Sequence, residues 1–254
     1  MDDLSALRLQ AEWGADEALG EAPVDRFVAA PARPAAAAAA AVPRPALLAA
    51  AQGQSLAQSL ADRAGTLDEL HAALQAFDGC ALRATATHTV RPDGAASAGV
   101  VLIGEAPGAD DDRSGRAFSG EPGQTLDRVL RSIGLDRSGV LLTTLAPWRP
   151  PGSRPLAEAE AQACLPFLLR LLALAQPRRV ELLGAAPVRA LTGAADNIRR
   201  LRGRWQAVAV PGLATPVPAL PMLPLELWLR TPDNKRAVWA DLLELRQRLD
   251  APPA

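Results

Sequence analysis

A chain of 254 residues, 49% hydrophobic and 22% charged, is long enough to bury one sizeable core, and a net charge of -1 excludes a polycation that grips nucleic acid by bulk charge alone. Two cysteines exclude a disulfide framework and fit a reducing, cytoplasmic setting. The start MDDLSALRLQAEW has no basic stretch ahead of an apolar one, and the Ala tract is too weakly hydrophobic to span a bilayer, so neither signal peptide nor membrane span is expected.

In chain order, residues 1–28 open with a short helix carrying Leu4, Leu7, Leu9 and Trp13. Residues 29–45, AAPARPAAAAAAAVPRP, form an Ala/Pro linker, and residues 46–250 form the folded domain. Between Leu47 and Phe77 the leucines recur at helical spacing, with Thr66 as an N-cap ahead of Leu67. Val100 to Ile103, stopped by Gly104, is a buried parallel strand. Gln124 to Ile133 is a helix, Val140 to Leu145 a second strand, Ala157 to Ala175 a long helix, and Val180 to Leu183 a third strand. Pro187 to Leu191 is a short helix, Val208 to Val210 the candidate fourth strand, and Lys235 to Leu249 the closing helix. This alternation predicts an α/β fold of three layers, a mostly parallel four-stranded sheet with helices on both faces. Ligands of such sheets bind at the carboxyl ends of the strands.

The chemistry-bearing residues fall at those ends. GEAPG, 104–108, follows the first strand; it lacks both the dinucleotide fingerprint and the Gly-Lys-Ser/Thr of a phosphate loop, and aims one carboxylate, Glu105, over the strand end. An ordinary turn with a solvated acid is equally open at this point. Asp110, Asp111 and Asp112 lack calcium-loop spacing and are read as a helix start or solvating acids, with no metal. Phe118, flanked by small residues in GRAFSG, either stacks on a planar ligand or folds back onto the core. Arg149 and Arg154 sit on the stiff loop WRPPGSRP, Arg200, Arg202 and Arg204 in RRLRGRW, and Arg230 in a third basic loop. Any one such cluster is ordinarily a solvated face; three together favour phosphates. His71 and His88 lack ligand-spaced partners and are read as structural.

Taken in order, GEAPGADDDRSGRAFSG, LLTTLAPWRPPGSRP, ELLGAAPVRALTG, RRLRGRW and LPLELWLRTPDNKRAVWADL resemble the family 4 uracil-DNA glycosylases from about Phe77 to Leu249. The resemblance implies that family's fold, DNA as partner, and a base flipped into a pocket and cut from its sugar. It implies Glu105 as the carboxylate beside the sugar or attacking water, Phe118 as the stacking ring, and Ala106 and Gly108 as pocket backbone. The family's uracil-reading Asn falls on Thr144, and the His of its His-Pro segment on Leu223, so a two-point amide contact and an oxyanion donor are both replaced. The family's four-cysteine iron–sulfur cluster falls on Phe77, Cys80, Trp148 and Cys164. With two thiols left, no cluster is expected, and Phe77 with Trp148 is expected to plug its place. Two readings therefore stand: a glycosylase of weakened activity on uracil or a related deaminated base, and a catalytically inactive DNA-binding or partner-binding member of the fold. Residues 1–28 are the place for a protein partner, and the chain is read as a monomer.

Overall fold

The computed structural model describes residues 44–250. The helix expected within residues 1–28 and residues 29–43 of the linker lie outside the described residues. Helix α1, Arg44–Arg63, takes up the last two linker residues. Helix α2, Leu67–Ala76, starts at Thr66, whose hydroxyl accepts from Glu69 N–H at 3.2 Å as an N-cap.

The remaining elements are β1 (Asp93–Gly94), β2 (Val100–Gly104), α3 (Ala109–Ser114), α4 (Gly120–Ser132), β3 (Leu141–Thr144), α5 (Glu158–Ala175), β4 (Arg179–Leu183), α6 (Ala185–Thr192), α7 (Ile198–Leu201), β5 (Gln206–Val208), β6 (Val217–Met222) and α8 (Pro232–Asp250). Among the described residues the sheet has six strands in the order β1-β3-β2-β4-β6-β5. The four central ones run parallel, and short antiparallel strands border them. The expected four-stranded parallel sheet is therefore its centre, with one correction. Val208 ends an antiparallel edge strand, and the fourth parallel strand is the proline-bearing VPALPM of β6.

Proline normally argues against a central strand because it cannot donate to the ladder. Here both prolines avoid that cost. Pro218 lies one residue before the first β4 partner of β6, Ala219. Pro221 turns its carbonyl outward to Gly203 N–H, past the last residue paired with β5.

Strand alternation splits the core into two. Val101, Ile103, Leu141, Val180 and Leu182 face one cluster with Leu70, Phe77, Trp148, Phe167 and Leu172 from the α1, α2 and α5 side. Leu102, Leu142, Leu183 and Leu220 face the other, with Leu126 and Leu130 of α4 and Val238, Leu242 and Leu245 of α8. Among the described residues, no helix is long and apolar enough to cross a membrane.

One strand residue breaks this pattern. Glu181, in the middle of β4, is completely buried, and among the described residues neither carboxylate oxygen has a hydrogen-bond partner. Burial, reinforced by the nearby Asp241, pushes its pKa well above the usual carboxylate range. Folding therefore takes up a proton at this site, and stability falls as pH rises above that usual range. Glu181→Leu should stabilise the domain by about 1–3 kcal/mol at pH 8 and by less at pH 5, as read from urea unfolding at the two pH values. A gain that is equal at both would contradict this account.

Candidate active site

The carboxyl ends of β2, β3 and β4 open onto a cleft of about 420 Å³. That is within the roughly 300–1,000 Å³ of ordinary small-ligand sites. Register sets its floor: Gly104 pairs with Thr144, and Gly104 C=O accepts from Leu145 N–H at 2.8 Å, so the two strands leave the sheet side by side. Glu105, Ala106, Gly108, Phe118, Thr144 and Arg154, widely separated in sequence, all line the cleft.

Glu105 is half-buried, and its Oε1 accepts from Ala186 N–H at 3.2 Å, in the first turn of α6. The partial positive charge of that helix end favours a carboxylate there. The approach depends on Gly184. Its φ is +109°, and an added Cβ would stand 2.4 Å from Glu105 Oε1. This close approach has no local signal in the sequence.

Phe118 is 7% exposed and packs with the second core, as the fold-back alternative expects, and it also lines the cleft. Its φ is +53°, in the left-handed region that non-glycine residues adopt at a cost. Two hydrogen bonds and one open space hold it there. Arg137 Nη2 donates to Phe118 C=O at 2.7 Å, and Ser119 N–H, the next amide, donates to Asp111 Oδ1 at 2.6 Å. Gly104 lacks the Cβ that would sit 2.9 Å from the Phe118 ring.

Asp111 also accepts from Gly108 N–H at 2.9 Å, so one carboxylate ties the GEAPG loop to the Phe118 loop. Burial raises its pKa against the pull of these two amides. Asp112 accepts from Thr87 N–H at 2.8 Å, Thr87 Oγ1 at 2.9 Å and His88 N–H at 3.2 Å. Burial acts against this carboxylate, but the His88 and Thr87 hydrogen bonds outweigh it and hold its pKa below the usual value. The aspartates do start a helix, α3, as expected. The solvating role is corrected for two of them: Asp111 and Asp112 are buried braces.

Thr144 donates its hydroxyl to Ala146 C=O at 2.8 Å, which leaves only its oxygen lone pairs toward a ligand. Leu223 is not a pocket residue. It is completely buried in the second core, and Pro224, Leu225 and Glu226 reach the cleft instead.

The arginines divide. Arg200, Arg204 and Arg230 are exposed, with no side-chain partner among the described residues. Arg154 lines the cleft but pairs with Glu160 through both terminal nitrogens, at 2.9 and 2.5 Å. Arg149 is half-buried on its loop and donates to Ser153 Oγ at 2.8 Å. Arg202 corrects the expectation of a DNA contact. It turns inward to Asp241, with Nε at 2.9 Å from Oδ2 and Nη2 at 2.6 Å from Oδ1.

Behind the cleft, Phe77 and Trp148 are stacked with centroids 6.4 Å apart, and Phe77 lies 5.2 Å from Phe167. Cys80 and Cys164 are buried free thiols that share a hydrogen bond, which lowers the pKa of Cys80 and, together with burial, raises that of Cys164. A cubane iron–sulfur cluster takes four thiolates, so two thiols among packed rings do not fit one.

The family profile of the Uracil DNA glycosylase superfamily matches residues 91–243. The chain is similar to the type-4 uracil-DNA glycosylase of Pyrobaculum aerophilum, 37% identical over 125 residues, which are 49% of this chain and 64% of that protein. It is 35% identical to the type-4 enzyme of Archaeoglobus fulgidus over 47% of this chain and 60% of that one. It is 28% identical to the type-4 enzyme of Saccharolobus solfataricus over 68% and 82%. The match thus spans less than two thirds of the first two relatives.

Proposed function

Because this chain belongs to the uracil DNA glycosylase superfamily, we propose that it hydrolyses the N-glycosidic bond of a flipped uracil, or a related deaminated base, in DNA. The observation that carries this reading is the convergence of Glu105 and Phe118 on one cleft at the strand ends. The base stacks on the Phe118 ring, a contact worth about 1–3 kcal/mol per base. Glu105, steadied by Ala186 N–H, faces the sugar, where it takes the proton of an attacking water or offsets positive charge growing on C1′. Arg200, Arg204 and Arg230 contact phosphates and set register without reading bases. The fold stands without an iron–sulfur cluster, and Phe77 and Trp148 fill its place.

Excision of uracil should be slow, because the hydroxyl of Thr144 is spent on Ala146 C=O and Leu223, in the place of the family's donor His, is a hydrocarbon buried in the second core. Each missing donor lowers the rate about 10²–10³-fold. The test incubates the full chain with single- and double-stranded oligonucleotides carrying uracil and scores abasic sites. Thr144→Asn should raise the rate about tenfold or more, and Glu105→Ala should abolish release. No uracil release by the parent and by Thr144→Asn, with salt-sensitive DNA binding retained, would overturn the uracil reading and favour the second, a DNA-binding member without that catalysis. That reading is favoured by the same two replacements.

A further inference from the structure

Resting on the reading of this cleft as the flipped-base site, we propose that its preferred substrate is a base carrying a positive charge, an N-alkylated purine such as 7-methylguanine or 3-methyladenine in DNA. The argument starts from the hydrogen-bond inventory of the cleft. Thr144 has given its proton to Ala146 C=O, and the Arg154 terminal nitrogens are held by Glu160. Ser153 Oγ accepts from Arg149 and keeps its own proton, but the charged side chains left open to a ligand are carboxylates. Glu105 uses only Oε1, and exposed Glu226 has no side-chain partner among the described residues. The aromatic face of Phe118 completes the wall.

Such a lining is poor for uracil. Breaking its C1′–N1 bond leaves the electron pair, and a negative charge, on a base that needs donors at its oxygens. It suits a cation on two counts. Carboxylates and an aromatic face both attract positive charge in a partly desolvated cleft. The leaving group then also needs no donor. Water attacks C1′, the C1′–N9 pair moves to the purine ring and cancels its charge, and the water proton passes to Glu105. The products are a neutral alkylpurine and an abasic sugar. The two replacements that weaken uracil chemistry are therefore neutral for this one, and the acidic rim becomes a recognition element.

The experiment uses the full chain with duplex DNA methylated by a radiolabelled methyl donor, and in parallel the same duplex carrying uracil; released bases are resolved by chromatography. Methylated purines should leave at least about tenfold faster than in protein-free controls. Glu226→Gln, on an exposed side chain, should slow that release about fivefold without changing the melting temperature. Release of methylated purines without uracil supports the inference and overturns the uracil reading. Uracil release with methylated purines at the control rate overturns the inference and leaves the uracil reading standing. Release of neither overturns both. An unchanged rate in Glu226→Gln would remove the acidic rim from recognition and overturn the electrostatic basis of the inference.

Discussion

Replacing Arg202 by alanine should destabilise the domain by about 3–5 kcal/mol at pH 8. Its guanidinium is 21% exposed and meets a carboxylate, Asp241, that is 1% exposed. Its Nη2 also donates to Ala237 C=O, which fastens the loop after α7 to α8. Removing it leaves Asp241 buried and unpaired beside Glu181, which already lacks a partner. The effect depends on pH in a definite direction. Burial, against the pull of Arg202, raises the Asp241 pKa from 3.8 to about 6. Folding therefore takes up a proton in that window, and the contribution of this carboxyl group to stability falls as pH rises through about 6. At pH 5 native Asp241 is mostly protonated, Arg202 has little anion to hold, and the penalty of Arg202→Ala should shrink to about 1 kcal/mol. Urea unfolding at both pH values measures this. Arg204→Ala, two residues away and exposed, should stay within about 0.5 kcal/mol. A loss at Arg202 that does not change with pH would show that the pair is not what the arginine supplies.

Arg202 also marks where sequence reasoning stopped. Periodicity and strand-stop glycines located the parallel strands at 100–104, 141–144 and 179–183, because burial on both faces leaves a mostly apolar run, broken in the third only by Arg179 and Glu181. The strand at 217–222 escaped because its tolerance for proline comes from ladder ends and neighbours that the sequence does not display. In the site, Glu105 and Phe118 were legible because a motif and a lone aromatic in a loop are local signals. RRLRGRW looks like a uniform basic run. The partners on α8 that bind Arg199 and draw Arg202 inward, Asn234 and Asp241, lie 35 and 39 residues further on. The same holds for Asp111, whose two amide partners exist only once the loops have folded. Leu223 was misplaced by one residue's worth of geometry: β6 ends at Met222, Leu223 still faces the core, and the chain reaches the cleft only from Pro224 onward.

Trp148→Ala should cost about 3–5 kcal/mol, and in doing so test what holds the region behind the cleft together. The indole is 1% exposed, stacks on Phe77, and donates from Nε1 to Thr89 Oγ1 at 3.0 Å. Truncation removes a large apolar surface and opens a cavity against Phe77. It also leaves the Thr89 hydroxyl without its donor, and none of these losses can be recovered by a small shift of packed neighbours. Trp148→Phe keeps the stack and loses the hydrogen bond, so it should cost only about 0.5–1.5 kcal/mol. The comparison matters because Trp148 leads directly into the loop bearing Arg149 and Arg154, and that loop forms one side of the cleft. If rings rather than a cluster support it, purified parent protein contains no stoichiometric iron, chelators leave its unfolding curve unchanged, and the two substitutions rank as stated. Iron at four atoms per chain, or a Trp148→Ala variant as stable as the parent, would show that the aromatic pair is not the support. The hydrophobic plug would then have to be abandoned along with the cluster-free reading of the fold.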